Sequence, residues 1–214
     1  MAEFKSIYVN SNYTVFLKQT NKQEVRVEAL TEIFEVTEIK VEDGILLINI
    51  ERKPEVSNKS LWEKIDNIKL NPTLKIYVSM KDIRALQVNG GGKIVSENSI
   101  AADELELGLT GSGSMNIDIK GRKLKTDISG SGSITLKGYA TSNAIALSGS
   151  GNLNAFNCEL ENATIKIGGS GSAELNVSDT LEAFIMGSGA IKHKGNTKNT
   201  VKKIYGSGTI ERAY

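Results

Sequence analysis

Four kinds of side chain in this sequence are able to do chemistry, and their spacing limits what that chemistry would be. His193 is the only histidine and Cys158 the only cysteine, and neither has a second histidine or cysteine at ligand spacing. A zinc site needs about four such ligands and a disulfide needs a partner, so no metal, no cofactor and no intrachain disulfide are expected. His193 falls on the inward side of a strand pattern, which reads as a structural position. Asp103, Glu104, Glu106, Asp118 and Asp127 form the second group; paired across neighbouring segments, two of them would serve as general acid and base. On an outward strand face they read as solvated charges instead. The third group is Ser112, Ser131, Ser150, Ser170, Ser188 and Ser207, each held between two glycines. A nucleophilic serine needs one exceptional residue with a histidine and an orienting carboxylate. These serines are equivalent by repetition, so no catalytic residue is expected among them. Last, Gly92-Lys93 resembles the end of a phosphate-cradling loop, but a strand follows it where that loop requires a helix.

The serines are positioned by a repeat. Gly111-Ser112-Gly113, Gly130-Ser131-Gly132, Gly149-Ser150-Gly151, Gly169-Ser170-Gly171, Gly187-Ser188-Gly189 and Gly206-Ser207-Gly208 follow a leading variant, Gly90-Gly91-Gly92. From first glycine to first glycine the steps are 21, 19, 19, 20, 18 and 19 residues. A constant period of this length means a stacked array. Around each triplet the apolar residues alternate strictly: Leu105, Leu107, Leu109, Gly111, Gly113, Met115, Ile117 and Ile119 share one parity, as do Ile128, Gly130, Gly132, Ile134 and Leu136. Alternation is the strand period, and it places both glycines inward and the serine outward. The triplet thus reads as a corner in one continuing extended chain, with structural glycines that remove the inward Cβ where the wall turns. A coil of ~19 residues has a perimeter of roughly 60 Å, and coils stack at about 4.8 Å. Met115, Ile134, Leu153, Ala173, Ile191 and Ile210 then form one inward column. Ser114, Ser133, Asn152, Ser172, Ala190 and Thr209 form an outward row beside the triplet serines. The expected fold is all-β: a single-stranded β-helix, or solenoid, of roughly 19-residue Gly-Ser-Gly coils.

The organisation expected along the chain is an N-terminal β-strand region at 1–73 that caps or extends the stack, then the solenoid repeat at 74–214. Asp43-Gly44 between Val36–Val41 and Ile45–Ile50 is a two-residue hairpin signal. Residues 52–72 break the strand pattern and read as a polar surface excursion, with Ser60-Leu61-Trp62-Glu63 resembling a helix-capping box. Short polar stretches between the triplets, such as Lys120-Gly121-Arg122-Lys123, Lys137-Gly138-Tyr139 and Asn157-Cys158-Glu159, are expected as turns along one edge. The net charge of +1 over 214 residues gives no basic surplus for nucleic acid. Lys192, Lys194, Lys198, Lys202 and Lys203 crowd the last coils, where they would guard an open strand edge. No apolar run is long enough to span a bilayer, and the opening Met1-Ala2-Glu3-Phe4 has no signal-peptide pattern.

Two features together resemble the family of putative auto-transporter adhesin, head GIN domain proteins. One is the opening Phe4-Lys5-Ser6-Ile7-Tyr8-Val9 with Tyr13-Thr14-Val15-Phe16-Leu17-Lys18-Gln19. The other is the Gly-Ser-Gly series after Leu86-Gln87-Val88-Asn89. The resemblance covers nearly the whole chain. It implies an all-β stack in secreted, periplasmic or cell-surface proteins of Bacteroidetes-type bacteria, and it brings no catalytic residues.

Two functions are in view. The first is a non-enzymatic adhesin-like binding or scaffold protein whose serine strip meets a glycan or a surface protein. The second is a carbohydrate-active β-helix enzyme, a lyase or hydrolase, which would be expected to show longer coils and a cleft of carboxylates.

Overall fold

The computed structural model describes residues 2–29, 31–50 and 74–213. The excursion expected at 52–72, with Trp62, lies outside the described residues. The elements in chain order are β1 (Ser6–Asn10), β2 (Thr14–Gln19), β3 (Glu24–Glu28), the helical turn α1 (Thr31–Phe34), β4 (Thr37–Glu42), β5 (Ile45–Ile50), β6 (Lys75–Met80), β7 (Ala85–Gly90) and β8 (Lys93–Ser96). Then come β9 (Ile100–Gly111), β10 (Ser114–Gly130), β11 (Ser133–Gly149), β12 (Asn152–Gly169), β13 (Ser172–Gly187), β14 (Ala190–Lys194), β15 (Asn199–Gly206) and β16 (Thr209–Arg212). From β7 onward every neighbouring pair is parallel, and the chain forms the β-solenoid that its repeat predicts.

Each coil is flattened into two walls joined by two corners. In β10, Met115, Ile117 and Ile119 line the inner side of one wall, and Leu124, Thr126 and Ile128 line the other, none more than 3% exposed. Burying one such aliphatic side chain is worth roughly 1.5–3 kcal/mol. The inward column runs in register from Met115 through Ile134, Leu153, Ala173 and Ile191 to Ile210.

The two corners are built differently. At the first, the strand ends on Gly130 and resumes at Ser133, and inward parity carries across from Ile128 to Ile134. Gly130 has φ +114°, and a Cβ on it would lie 2.6 Å from Gly111 O. A Cβ on Gly132 would lie 2.7 Å from Leu109 Cδ2. Coils approach here more closely than any side chain permits. At the second corner the strand is continuous, so the stretches expected as turns are bends inside β10, β11 and β12. The pairing skips one residue there, at Arg122, and inward parity resets between Ile119 and Leu124. Cys158, expected in one of these polar turns, is fully buried. In β12 the register shifts by one residue opposite Thr135–Lys137, and the extra residue turns Cys158 inward.

The N-terminal segment enters the stack out of chain order. β1 pairs in parallel with both β5 and β7, and β2 pairs in parallel with both β6 and β8. The coil made by β1 and β2 therefore sits between the layer of β5 and β6 and the layer of β7 and β8. Its first corner is Asn10-Ser11-Asn12, stacked on Gly90-Gly91-Gly92, with Ser11 O only 2.5 Å from where a Gly92 Cβ would be. Gln19 ties these layers at the second corner: its amide donates to Lys81 O and Ala101 O and accepts from Ala101 N, at 2.7–2.9 Å. The expected boundary at 73/74 lies at the edge of the described residues. Beyond β6 and β5, the antiparallel strands β3 and β4 close this end of the stack. Asp43 and Gly44, with φ of 51° and 74°, form the hairpin between β4 and β5. Ile33 and Val36, 2% and 4% exposed, cover the end of the core. Buried Tyr13 bonds Thr37 Oγ1 at 2.7 Å beneath them.

Candidate functional site

The first corner carries the row of serines. Ser112, Ser131, Ser150, Ser170, Ser188 and Ser207 are all exposed, while Gly113, Gly132, Gly151, Gly171 and Gly189 beside them are buried and Gly208 is half-buried. The remaining triplet glycines, Gly111, Gly130, Gly149, Gly169, Gly187 and Gly206, all have φ between +105° and +159°. Successive corners are locked by backbone: Ser131 N and Gly132 N both donate to Gly111 O at 2.9 Å, and Ser150 N donates to Gly130 O at 2.8 Å. The amides of Ser112, Ser170 and Ser188 are spent in the same way at 2.9–3.0 Å. Their hydroxyls face solvent at the coil spacing of about 4.8 Å. The neighbouring outward row is in register from Ser114 through Ser133, Asn152, Ser172 and Ala190 to Thr209. Within it Ser172 Oγ bonds Asn152 Oδ1 at 2.6 Å. The edge is thus narrow, polar and rigid.

The other chemically capable residues are dispersed. Asp103 and Glu104 do not pair with other carboxylates; they take Arg122 Nε at 2.9 Å and Lys123 Nζ at 2.8 Å from the next coil. The Lys123 hydrogen bond holds the Glu104 carboxyl below the usual carboxylate range. Asp127 meets Lys125 at 3.3 Å, and Asp118 accepts from Ser99 Oγ at 2.9 Å. Burial, and secondarily the charge of Asp118, push the Cys158 thiol up to about 12; a thiol so rarely ionised is a poor nucleophile. His193 is buried inside the last coils, and neither ring nitrogen has a hydrogen-bond partner among the described residues. Its pKa is lowered by burial first, then by the charges of Lys202 and Arg212. Among the described residues no three His, Cys, Asp or Glu side chains gather as a metal site. No helix among them is long and apolar enough to cross a membrane.

Two polar features are not announced by residue type. Thr126 and Asn143 are buried at inward positions and bond each other at 3.1 Å. Their parity, shared with Leu124 and Ile145 respectively, is the signal that marks them as inward. Before the first corner, Asn49, Asn10 and Asn89 form an outward amide ladder with bonds of 2.7–2.8 Å. These belong to strands far apart in sequence, and nothing local announces their meeting.

The family model described as putative auto-transporter adhesin, head GIN domain matches residues 3–197. In fold the chain is similar to a putative adhesin from Bacteroides fragilis, with a TM-score of 0.87 at 23% identity over 99% of this chain and 93% of that one. It is also similar to a putative lipid binding protein from Parabacteroides distasonis, with a TM-score of 0.76 at 23% identity over 100% and 94%. A putative adhesin from Parabacteroides merdae gives a TM-score of 0.72 at 22% identity over 100% and 93%. No curated protein matches the chain in sequence. The solenoid with its glycine corners, and a family match that spans most of the residues, place this chain in the putative auto-transporter adhesin, head GIN domain family.

Proposed function

We propose that the protein is a non-enzymatic, adhesin-like binding scaffold, secreted or held at the cell envelope, and that its Gly-Ser-Gly edge meets a glycan or surface-protein partner. One observation carries this reading. Along Ser112, Ser131, Ser150, Ser170 and Ser188 the backbone amides are consumed in the ladder while the side chains stay exposed. A regular line of hydroxyls is left for a partner. The corner is held rigid by the stack, so little conformational entropy is lost when a partner binds. The family name supports the adhesin-like role.

The test is Ser131→Trp combined with Ser150→Trp. Both side chains are exposed, so the variant is expected to keep the wild-type melting temperature. On a glycan array and in binding to surface protein, it should lose at least about tenfold in affinity, which is ~1.4 kcal/mol. A variant that folds and binds every wild-type target equally well would show that the serine edge is not the site. Release of new reducing ends from a bound polysaccharide would turn the assignment to a carbohydrate-active enzyme.

A further inference from the structure

The second corner, on the edge opposite the serines, carries a groove of about 1120 Å³. It arises from the out-of-order stacking. To pass from β6 to β7 the chain must cross the layer of β1 and β2, and Asp82, Ile83 and Arg84 of the crossing segment line one side of the groove. Lys5 holds that side through Asp82 at 3.4 Å. The floor is low because its residues are small: Ala85, Ala101, Ala102 and Gly121. The lining ends one coil beyond Gly121, at Tyr139. Tyr139 stands at that end, in register with Lys120. Its hydroxyl donates to Glu161 and lies 3.3 Å from Thr141 Oγ1, which fixes the ring.

The charges of this groove are sorted. Asp82, Asp103 and Glu104 are committed to Lys5, Arg122 and Lys123. Glu106 lies near Lys125. Arg84 and Lys120 line the groove and have no carboxylate within salt-bridge distance among the described residues. The floor offers no main-chain pairing. Arg84 N donates to Lys5 O and Glu106 N to Arg84 O, both at 2.8 Å, and Ala101 and Ala102 are in the ladder with Lys120 and Gly121. An extended peptide gains its affinity from such pairing, so the groove does not suit one. From the layer of Lys5 to that of Tyr139 it spans four coil steps, about 19 Å. Two uncommitted cations, a flat floor of alanines and a fixed aromatic ring are what a chain of acidic sugars requires.

We propose that this groove is a second binding site, separate from the serine edge, and that it takes a uronate-bearing oligosaccharide. The carboxylate sits between Arg84 and Lys120, and the C–H face of the sugar lies on the alanine floor beside Tyr139. The site stands whether or not the serine edge binds anything. Calorimetry with tetragalacturonate and with its neutral methyl ester tests it. The acid form should bind and the ester should bind at least tenfold more weakly. Arg84→Ala with Lys120→Ala should weaken the acid form by roughly tenfold for each cation removed. Ala101→Trp, at an exposed position on the floor, should block it, with the melting temperature of each variant confirming the fold. Ser131→Trp with Ser150→Trp should leave this binding unchanged. No uptake of tetragalacturonate, equal affinity for the ester, insensitivity to the loss of both cations, or loss of binding in the serine variant would each overturn the proposal.

Discussion

At Gly130 a methyl group would stand 2.6 Å from Gly111 O on a backbone with φ +114°; at Gly168 it would meet only Leu147 O at 3.9 Å, with no positive φ. The two positions separate the corner requirement from ordinary glycine usage. An L residue forced into a sparsely populated region costs about 1–3 kcal/mol, before the contact with Gly111 O is counted. Gly130→Ala should therefore lower unfolding free energy by about 2 kcal/mol or more, measured by urea titration. Gly168→Ala should stay within about 0.5 kcal/mol of wild type, as exposed, unstrained surface changes do. Equal effects would mean that the corner conformation is not what selects glycine. The residue scale is also where the sequence was most legible. Alternation alone orders the column from Met115 to Ile210 and the outward row from Ser114 to Thr209, because neighbouring coils repeat one local pattern. Cys158 defeated it because a single extra residue in β12 inverts parity, and a one-residue slip moves every following side chain to the other face.

The order of the N-terminal strands was not legible at the element scale. β1 lies against β7, and Ser6 is in register with Ala85; pairing over such a separation leaves no periodic trace. The groove at the second corner follows from that crossing, so its cations could be named in the sequence without any sign that they share a wall. At the other end, the layer of β14, β15 and β16 shows what an element gains or loses from one titrating group. His193 of β14 is in register with Leu175 of β13 and Arg212 of β16, and Lys202 of β15 faces it as well. Burial and these cations hold its pKa below the ordinary value of 6.5. The unfolded chain thus binds the proton more readily than the folded one. Stability from neutral His193 is complete above about pH 6.5 and is lost as pH falls from there through the lower folded value. Hydrogen-exchange protection of β15 and β16 should drop between pH 7.5 and pH 5.5 relative to β10 and β11. His193→Leu should abolish that differential loss. A wild-type pattern that keeps the same ratio at both pH values would remove the histidine from the account.

On the scale of the whole molecule, a β-rod must end without recruiting a copy of itself, because its last strands expose unpaired backbone. The outermost layers of the described stack differ in this respect. At one, β3 and β4 run antiparallel to the strands beneath them, and Ile33 and Val36 cover the core. At the other, two inward positions turn charged. Lys202 is in register with Ala183, a position that holds Ile165 and Ile145 in the coils before, and Arg212 is in register with His193, which follows Leu175 and Ala155. Another apolar layer laid on this one would bury both cations without a carboxylate partner, a penalty of several kcal/mol for each. The outer surface nearby would otherwise favour association, since Met186 and Tyr205 stack at 63% and 67% exposure. Inward charge therefore disfavours an added apolar layer on this face. Lys202→Leu with Arg212→Leu should convert it into a surface continuous with the core. Light scattering after size exclusion should then show a larger mass than wild type at equal concentration, rising with protein concentration. Lys192→Leu with Lys203→Leu removes the same net charge from outward positions and should leave the mass as in wild type. If the outward pair raises the mass as much as the inward pair, overall repulsion guards the end, and the inward placement of Lys202 and Arg212 is incidental.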